Sequence, residues 1–479
     1  MKSKLFKKTE FKIFITVYLV YLVFMTNYGG NFMADSMLSG TISLVEERTL
    51  VIDDYVSQIC KETGCDHAFS NSHFYSGFAP GPTFLALPIY FVAYPILQKF
   101  LPDILFNNSK TEIKLIILNI LTTIFISSFL SALTSVLIYR ISNYFTENEK
   151  TKIFTAFILS FGTLFLLYST GYYARVLDSF FSIFAFYKLI KMKHSQVTNK
   201  ELIVAGLSST AAFTMDYPHF IISFILFCYL LSFLRNKKIF YFIIAASIPV
   251  VLTLLYHYII FDNPFQTPEH LRANQANKED LGQGFGGFNY PHLEKLFLYS
   301  FSSKRGLFFY NPIFLLSFYG LYLGSKKFKF EMLTIFFVFL LTYLFYSSSV
   351  WPWWWDGSYG PRYLLVIFPY LILPLNFVIG KANKILFYTL LGISSFFSLL
   401  GVMFDRTALW TYPFDVVNPI FKTYIPLLLS KGFSNYTLNI INYKIINLQI
   451  YLINILFFIE ILFLVFIIRK VWRNKEMLN

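Results

Sequence analysis

The sequence predicts an all-α polytopic membrane protein of about twelve transmembrane helices, with a large polar loop after the first. Three observations predict it. Hydrophobic residues make up 56% of the 479-residue chain against 14% charged, with a mean hydropathy of +0.56, an excess that one soluble core cannot hide. Apolar runs long enough to cross a bilayer recur along the chain, separated by short basic clusters. A polar insert over residues 35–88, carrying Asp35, Asp53, Asp54, Asp66, His67 and His73, interrupts that pattern once.

The expected spans, in order, are 11–25, 115–138, 153–168, 179–189, 202–215, 219–233, 239–260, 307–324, 332–346, 363–379, 385–404 and 450–468. Basic residues precede the first span and no small-residue cleavage site follows it, so it reads as a retained signal anchor. The apolar stretch 84–101 is decided by parity. If it does not cross, the clusters around Lys7, Arg140, Lys191, Lys237, Lys327, Lys381 and Lys470 all fall on the cytoplasmic side. It is therefore expected to lie in or dip into the outer interface, with both termini cytoplasmic and the site extracytoplasmic. The net charge of +14 is spread over these clusters rather than gathered on one face, which excludes a nucleic-acid partner. Of the three cysteines, Cys60 and Cys65 form either a small outer disulfide or a free pair.

Chemistry is expected in the outer segments 28–113, 169–178, 261–305, 347–362 and 405–449. Asp35 opens a run with Leu38, Ile42 and Val45 at helical spacing, so it is either a helix cap or a carboxylate held against the bilayer by an amphipathic helix. Asp178 also begins a helix and admits the same two readings; paired with Asp35 in one cleft, it would act as an orienting or metal-binding partner. The run Trp351-Pro352-Trp353-Trp354-Trp355-Asp356-Gly357-Ser358-Tyr359-Gly360-Pro361-Arg362 is either an interfacial aromatic belt or a sugar and phosphate site. Lys304 and Arg305 stand at the outer end of a span, where cations are disfavoured, and either snorkel to headgroups or bind the phosphate of a lipid carrier. The histidines show no regular metal spacing, and a divalent ion held by carboxylates stays open.

Taken together, Asp35 after the first helix, the run His73-Phe74-Tyr75-Ser76-Gly77-Phe78-Ala79-Pro80-Gly81-Pro82 before an apolar helix, and Asp178 opening the next outer helix resemble the C-type (GT-C) membrane glycosyltransferases. Within them the resemblance is to the bacterial protein O-mannosyltransferase and aminoarabinose-transferase branch. The segments around Asp53 and Asp54, around Lys304 and Arg305, and from Asp356 to Arg362 are similar to stretches of that branch's bacterial members. The chain departs from it in carrying Asp35-Ser36 where an Asp-Glu pair is usual.

The resemblance implies a GT-C-like catalytic module over 1–240 and a variable membrane region over 241–479. It implies transfer of a sugar from a polyprenyl-phosphate carrier to a lipid, glycan or protein acceptor outside the cytoplasmic membrane, with inversion. Asp35 would be the general base and Asp178 its catalytic partner. Asp53, Asp54, His73, Tyr75, Lys304, Arg305, Trp355, Asp356, Tyr359 and Arg362 would bind substrate, with no cofactor required beyond an optional divalent ion. The alternative class is a transporter or flippase of a lipid-linked saccharide, which usually carries paired repeats and ionisable groups at the bilayer midplane.

Overall fold

The computed structural model describes residues 8–25, 32–59, 66–100, 110–271, 289–349, 359–403, 418–431 and 450–473. The chain is a multi-pass helical membrane protein: five helices, Gly81–Lys99, Ile113–Phe145, Ile239–Phe261, Lys329–Ser347 and Lys384–Met403, are long and apolar enough to cross a membrane. Shorter apolar helices accompany them.

The first half runs α1 (Lys8–Val23), α2 (Phe32–Glu46), α3 (Asp53–Ile59), the strands β1 (His67–Ser70) and β2 (His73–Ser76), and α4 (Gly81–Phe100). It continues through α5 (Lys110–Thr122), a π-helical turn at Thr123–Ser128, α6 (Phe129–Phe145), α7 (Glu149–Gly162), α8 (Phe165–Ser169), α9 (Ala174–His194), α10 (Asn199–Met215), α11 (Phe220–Leu231) and α12 (Ile239–Phe261). Local sequence explains several boundaries. The Asn148 side chain caps α7 by accepting the Thr151 amide, and Thr198 caps α10 by accepting that of Glu201, with Glu201 at the third helical position as in a capping box. The antiparallel β1–β2 hairpin turns at Asn71 and Ser72, both at positive φ, as a two-residue turn with the twist of its strands requires.

Four expectations meet a different outcome in detail. The apolar stretch after the first loop is helical throughout, Gly81–Phe100, despite Pro88 and Pro95 inside it, and by length and composition it qualifies as a span. α2 forms where Asp35 implied a helix, but nearly every side is enclosed, Ser36, Ser39 and Ser43 included, so it is a packed element and not one lying on a surface. The span expected at 363–379 is a succession of short turns, Arg362–Ile367, Phe368–Ile372 and Leu373–Phe377, because Pro369 and Pro374 each remove an amide donor from a continuing helix. Asn311-Pro312 breaks the 307–324 stretch in the same way.

α9 is the hub. It packs against α6, α10, α11 and the Arg362–Ile367 turn, and so carries whatever lies at its start into the middle of the bundle. The first loop is fastened to that start through Gly81-Pro82-Thr83. Thr83 donates to the Met37 carbonyl of α2 at 2.9 Å, Tyr172 donates to the Pro82 carbonyl at 2.5 Å, and a Cβ on Gly81 would come within 2.5 Å of the Thr214 carbonyl. Only glycine allows α4 to begin there.

Candidate active site

The polar centre of the fold lies where the first turn of α9 meets the elbow between α10 and α11. Arg175, on α9, forms an ion pair with Asp216 of the elbow and donates to the Tyr346 hydroxyl at 2.9 Å. One turn further along α9, Asp178 Oδ2 lies 3.2 Å from His219 Nδ1. Both contacts join the same two segments, with the signs reversed from one to the next. All four side chains are buried, Asp178 completely. Ionisable groups enclosed at this density inside a membrane bundle are costly to keep and mark function more often than scaffold.

Polar satisfaction is uneven across this cluster. Asp178 Oδ1 accepts from Ser179 at 3.3 Å, and Ser179 also donates to the Arg175 carbonyl at 2.7 Å. His219 Nε2 and Asp178 Oδ2 have no hydrogen-bond partner among the described residues, so the 3.2 Å contact is an ionic one without good alignment. The Tyr363 ring closes the cluster on another side: the Arg175 guanidinium lies 4.8 Å and the Arg362 guanidinium 5.0 Å from its centroid. Arg362 also donates to the Tyr363 hydroxyl at 3.0 Å.

The structure thus draws Asp178 and Arg362 into one neighbourhood. A tyrosine array joins the segments at Ser303 and Tyr359 to Tyr168. Tyr168 donates to the Tyr359 carbonyl at 2.7 Å, Tyr310 packs on Tyr359 at 5.0 Å, and Tyr310 donates to the Ser303 carbonyl at 2.7 Å, next to Lys304 and Arg305. Arg305 is buried and donates to the Lys304 carbonyl at 2.8 Å. Tyr359 is enclosed, with its hydroxyl on the Phe397 carbonyl at 2.9 Å, the setting of a packing residue. Trp355 and Asp356 lie outside the described residues, as do Cys60 and Cys65.

Asp35 sits buried in the first turn of α2, where its carbonyl accepts from Ser39 at 2.7 Å. Its neighbour Ser36 receives the Gly77 amide at 3.2 Å, donates to the Asp66 carbonyl at 2.8 Å and contacts His67 Nδ1 at 3.1 Å. His67 is buried, and desolvation outweighs the charge of the adjacent Asp66 and pushes its imidazole down to about 4. The other first-loop residues stand apart from the buried cluster. Asp53 accepts the Phe74 amide at 2.6 Å and lies 2.7 Å from His73 Nδ1, tying α3 to β2 at a half-exposed surface. Asp54 is exposed, and Tyr75 packs edge-on against Phe261 at 6.0 Å. No group of three or more His, Cys, Asp or Glu side chains among the described residues is placed to hold a metal ion.

Asp216 and His219 were not singled out by motif. The signal available was an acid and a histidine bracketing a proline, Asp216-Tyr217-Pro218-His219, between two apolar runs.

No protein-family model and no curated protein matches the chain. Among solved structures it is similar to the archaeal oligosaccharyltransferase AglB from Archaeoglobus fulgidus in complex with an inhibitory peptide and a dolichol-phosphate. That likeness has 13% identity and a TM-score of 0.47, over 84% of this chain and 56% of that one. It is similar also to the apo form of the Archaeoglobus fulgidus oligosaccharyltransferase, at 13% identity and a TM-score of 0.45, over 92% of this chain and 59% of that one. The chain spans a little over half the length of these structures. Likeness at this level does not establish a shared activity.

Proposed function

We propose that the protein is an integral membrane glycosyltransferase that moves a sugar from a polyprenyl-phosphate carrier to an acceptor outside the cytoplasmic membrane. The observation that carries the reading is the buried cluster at the start of α9, where Arg175, Asp178, Asp216 and His219 meet beside Arg362. A cleft that joins carboxylates to guanidinium groups at membrane level offers a proton acceptor and an anion site together. In the proposed division of labour, Asp35 takes the acceptor's hydroxyl proton as its oxygen attacks the anomeric carbon, and attack opposite the phosphate inverts that centre. Arg362, with Lys304 and Arg305, offsets the charge of the phosphate, whose oxygens accept from the planar fork of guanidinium donors. The catalytic module is assigned to 1–240 and the phosphate-side segments to 241–479.

The test is release of free polyprenyl phosphate from a panel of polyprenyl-phosphate sugars by purified protein in membrane extract supplying acceptors. Asp35→Asn is expected to lower turnover by roughly 10²- to 10⁴-fold, the usual share of a general base. Arg362→Ala is expected to weaken donor binding with the fold intact. Donor binding without release by wild type, across the whole panel, would overturn the reading in favour of a transporter.

A further inference from the structure

We propose that His219 is the general acid of this site, giving its Nε2 proton to the departing phosphate, and that Asp178 is the positioning residue that holds its imidazole. The inference rests on the glycosyltransferase reading above and adds a role that its two-carboxylate scheme leaves empty.

Four observations support it. His219 is buried and its Nε2 has no hydrogen-bond partner among the described residues, an arrangement that structural histidines avoid because an unmade hydrogen bond in a dry site is costly. Its other nitrogen faces the carboxylate of Asp178 at 3.2 Å, so the imidazole has a countercharge and a preferred orientation. The phosphate side of the site adjoins it: Arg175, three residues from Asp178, shares the Tyr363 ring with Arg362. An unpartnered Nε2 on the elbow whose Asp216 holds the Arg175 guanidinium suits an anionic oxygen better than a neutral hydroxyl, which assigns His219 to the leaving group and not to the acceptor. His67 offers the contrast. It too has an unpartnered Nε2, but its Nδ1 meets the Ser36 hydroxyl and not a carboxylate, and burial outweighs the charge of the adjacent Asp66 and keeps it neutral.

The step balances as follows. The acceptor oxygen bonds to the anomeric carbon as the bond from that carbon to the carrier's phosphate oxygen breaks. The electron pair of that bond leaves with the phosphate, which takes the Nε2 proton and departs as polyprenyl hydrogen phosphate. The acceptor's own proton goes to Asp35, and solvent exchange restores the imidazolium. Among the described residues, Asp178 faces His219, and the charged and titratable groups reached through Asp178 and Arg175 are Asp216 of the elbow, Tyr346 from the Lys329–Ser347 helix, and Tyr363 and Tyr370 from the 362–372 turns.

The experiment measures kcat, KM and the pH–rate profile of wild type, His219→Gln and Asp178→Asn on whichever polyprenyl-phosphate sugar the wild type consumes, with detergent unfolding as the folding control. His219→Gln is expected to lower kcat by about 10²-fold with KM changed by less than about threefold, and to abolish the alkaline limb of the profile, the mark of a lost acid. Asp178→Asn is expected to lower kcat by less than His219→Gln does, with KM changed by less than about threefold. A His219→Gln enzyme that retains wild-type turnover, or that keeps the alkaline limb, overturns the proposal while leaving the glycosyltransferase reading in place. Should His219→Gln fail to fold, wild-type kcat in Asp178→Asn overturns it instead. A wild type that releases nothing from any donor overturns the reading itself and this inference with it.

Discussion

At the far end of α9, Glu331 is enclosed and each interaction it needs is made: Lys193 Nζ lies 2.6 Å away, the Tyr229 hydroxyl donates at 2.9 Å, and His194 stands at 3.9 Å. At the near end of the same helix, Asp178 is equally enclosed, yet its Oδ2 and the Nε2 of His219, the ring nitrogen turned away from it, lack hydrogen-bond partners among the described residues. One helix therefore carries a completed buried network at one end and an incomplete one at the other. Burial alone does not separate scaffold from chemistry. A buried charge whose partners are all present holds elements together, while one left short retains the capacity to bind or to move a proton.

Glu331→Ala should produce the largest stability loss. Removing the carboxylate leaves the buried Tyr229 hydroxyl without its acceptor and the partly exposed Lys193 without its countercharge, which costs roughly 3 kcal/mol, and unfolding in detergent should show it while turnover per folded molecule stays unchanged. Lost turnover with undiminished stability would break the comparison.

A smaller effect belongs to His67, whose burial is a third case: enclosed, half-partnered and neutral. Its folded value of about 4 lies below its ordinary 6.5, so the unfolded chain binds more protons between those limits. Stability is then complete above pH 6.5 and falls as the pH drops toward 4, by up to about 3 kcal/mol. His67→Gln should flatten that part of the unfolding profile; an unchanged acid limb would place the titrating group elsewhere.

The smallest effect is expected at the half-exposed Asp53–His73 pair. Asp53→Asn keeps an acceptor for the Phe74 amide and loses only the ion pair, which should cost less than about 1 kcal/mol. Donor affinity is expected to hold. A tenfold loss of it would return Asp53 from hairpin tie to the substrate contact that its motif resembles.

Several features were legible along the chain. Asp35 lies in the first turn of a helix where the spacing of apolar residues placed one, whereas α9 begins at Ala174 and carries Asp178 inside it, not at its start; Lys304-Arg305 and Arg362 stand at segment ends as the hydropathy breaks implied. Asp53 and His73 were legible as polar residues but not as each other's partners, because a hairpin's register depends on its turn and not on composition. The 363–379 stretch is one apolar helical run over Arg362–Phe377, but its turns change character near Pro369 and Pro374, which mean hydropathy does not record.

By itself the sequence determined the class of structure. Its apolar runs exceed what water tolerates, and a bilayer accepts such runs chiefly as helices that satisfy their own backbone groups. Only the tertiary structure decided which distant charges meet: Glu10 with Arg140, Arg175 with Asp216, Asp178 with His219. The reason is physical. The energy of an ion pair depends on separation and on local dielectric, and both are set by how helices pack, which hydropathy along the chain does not record.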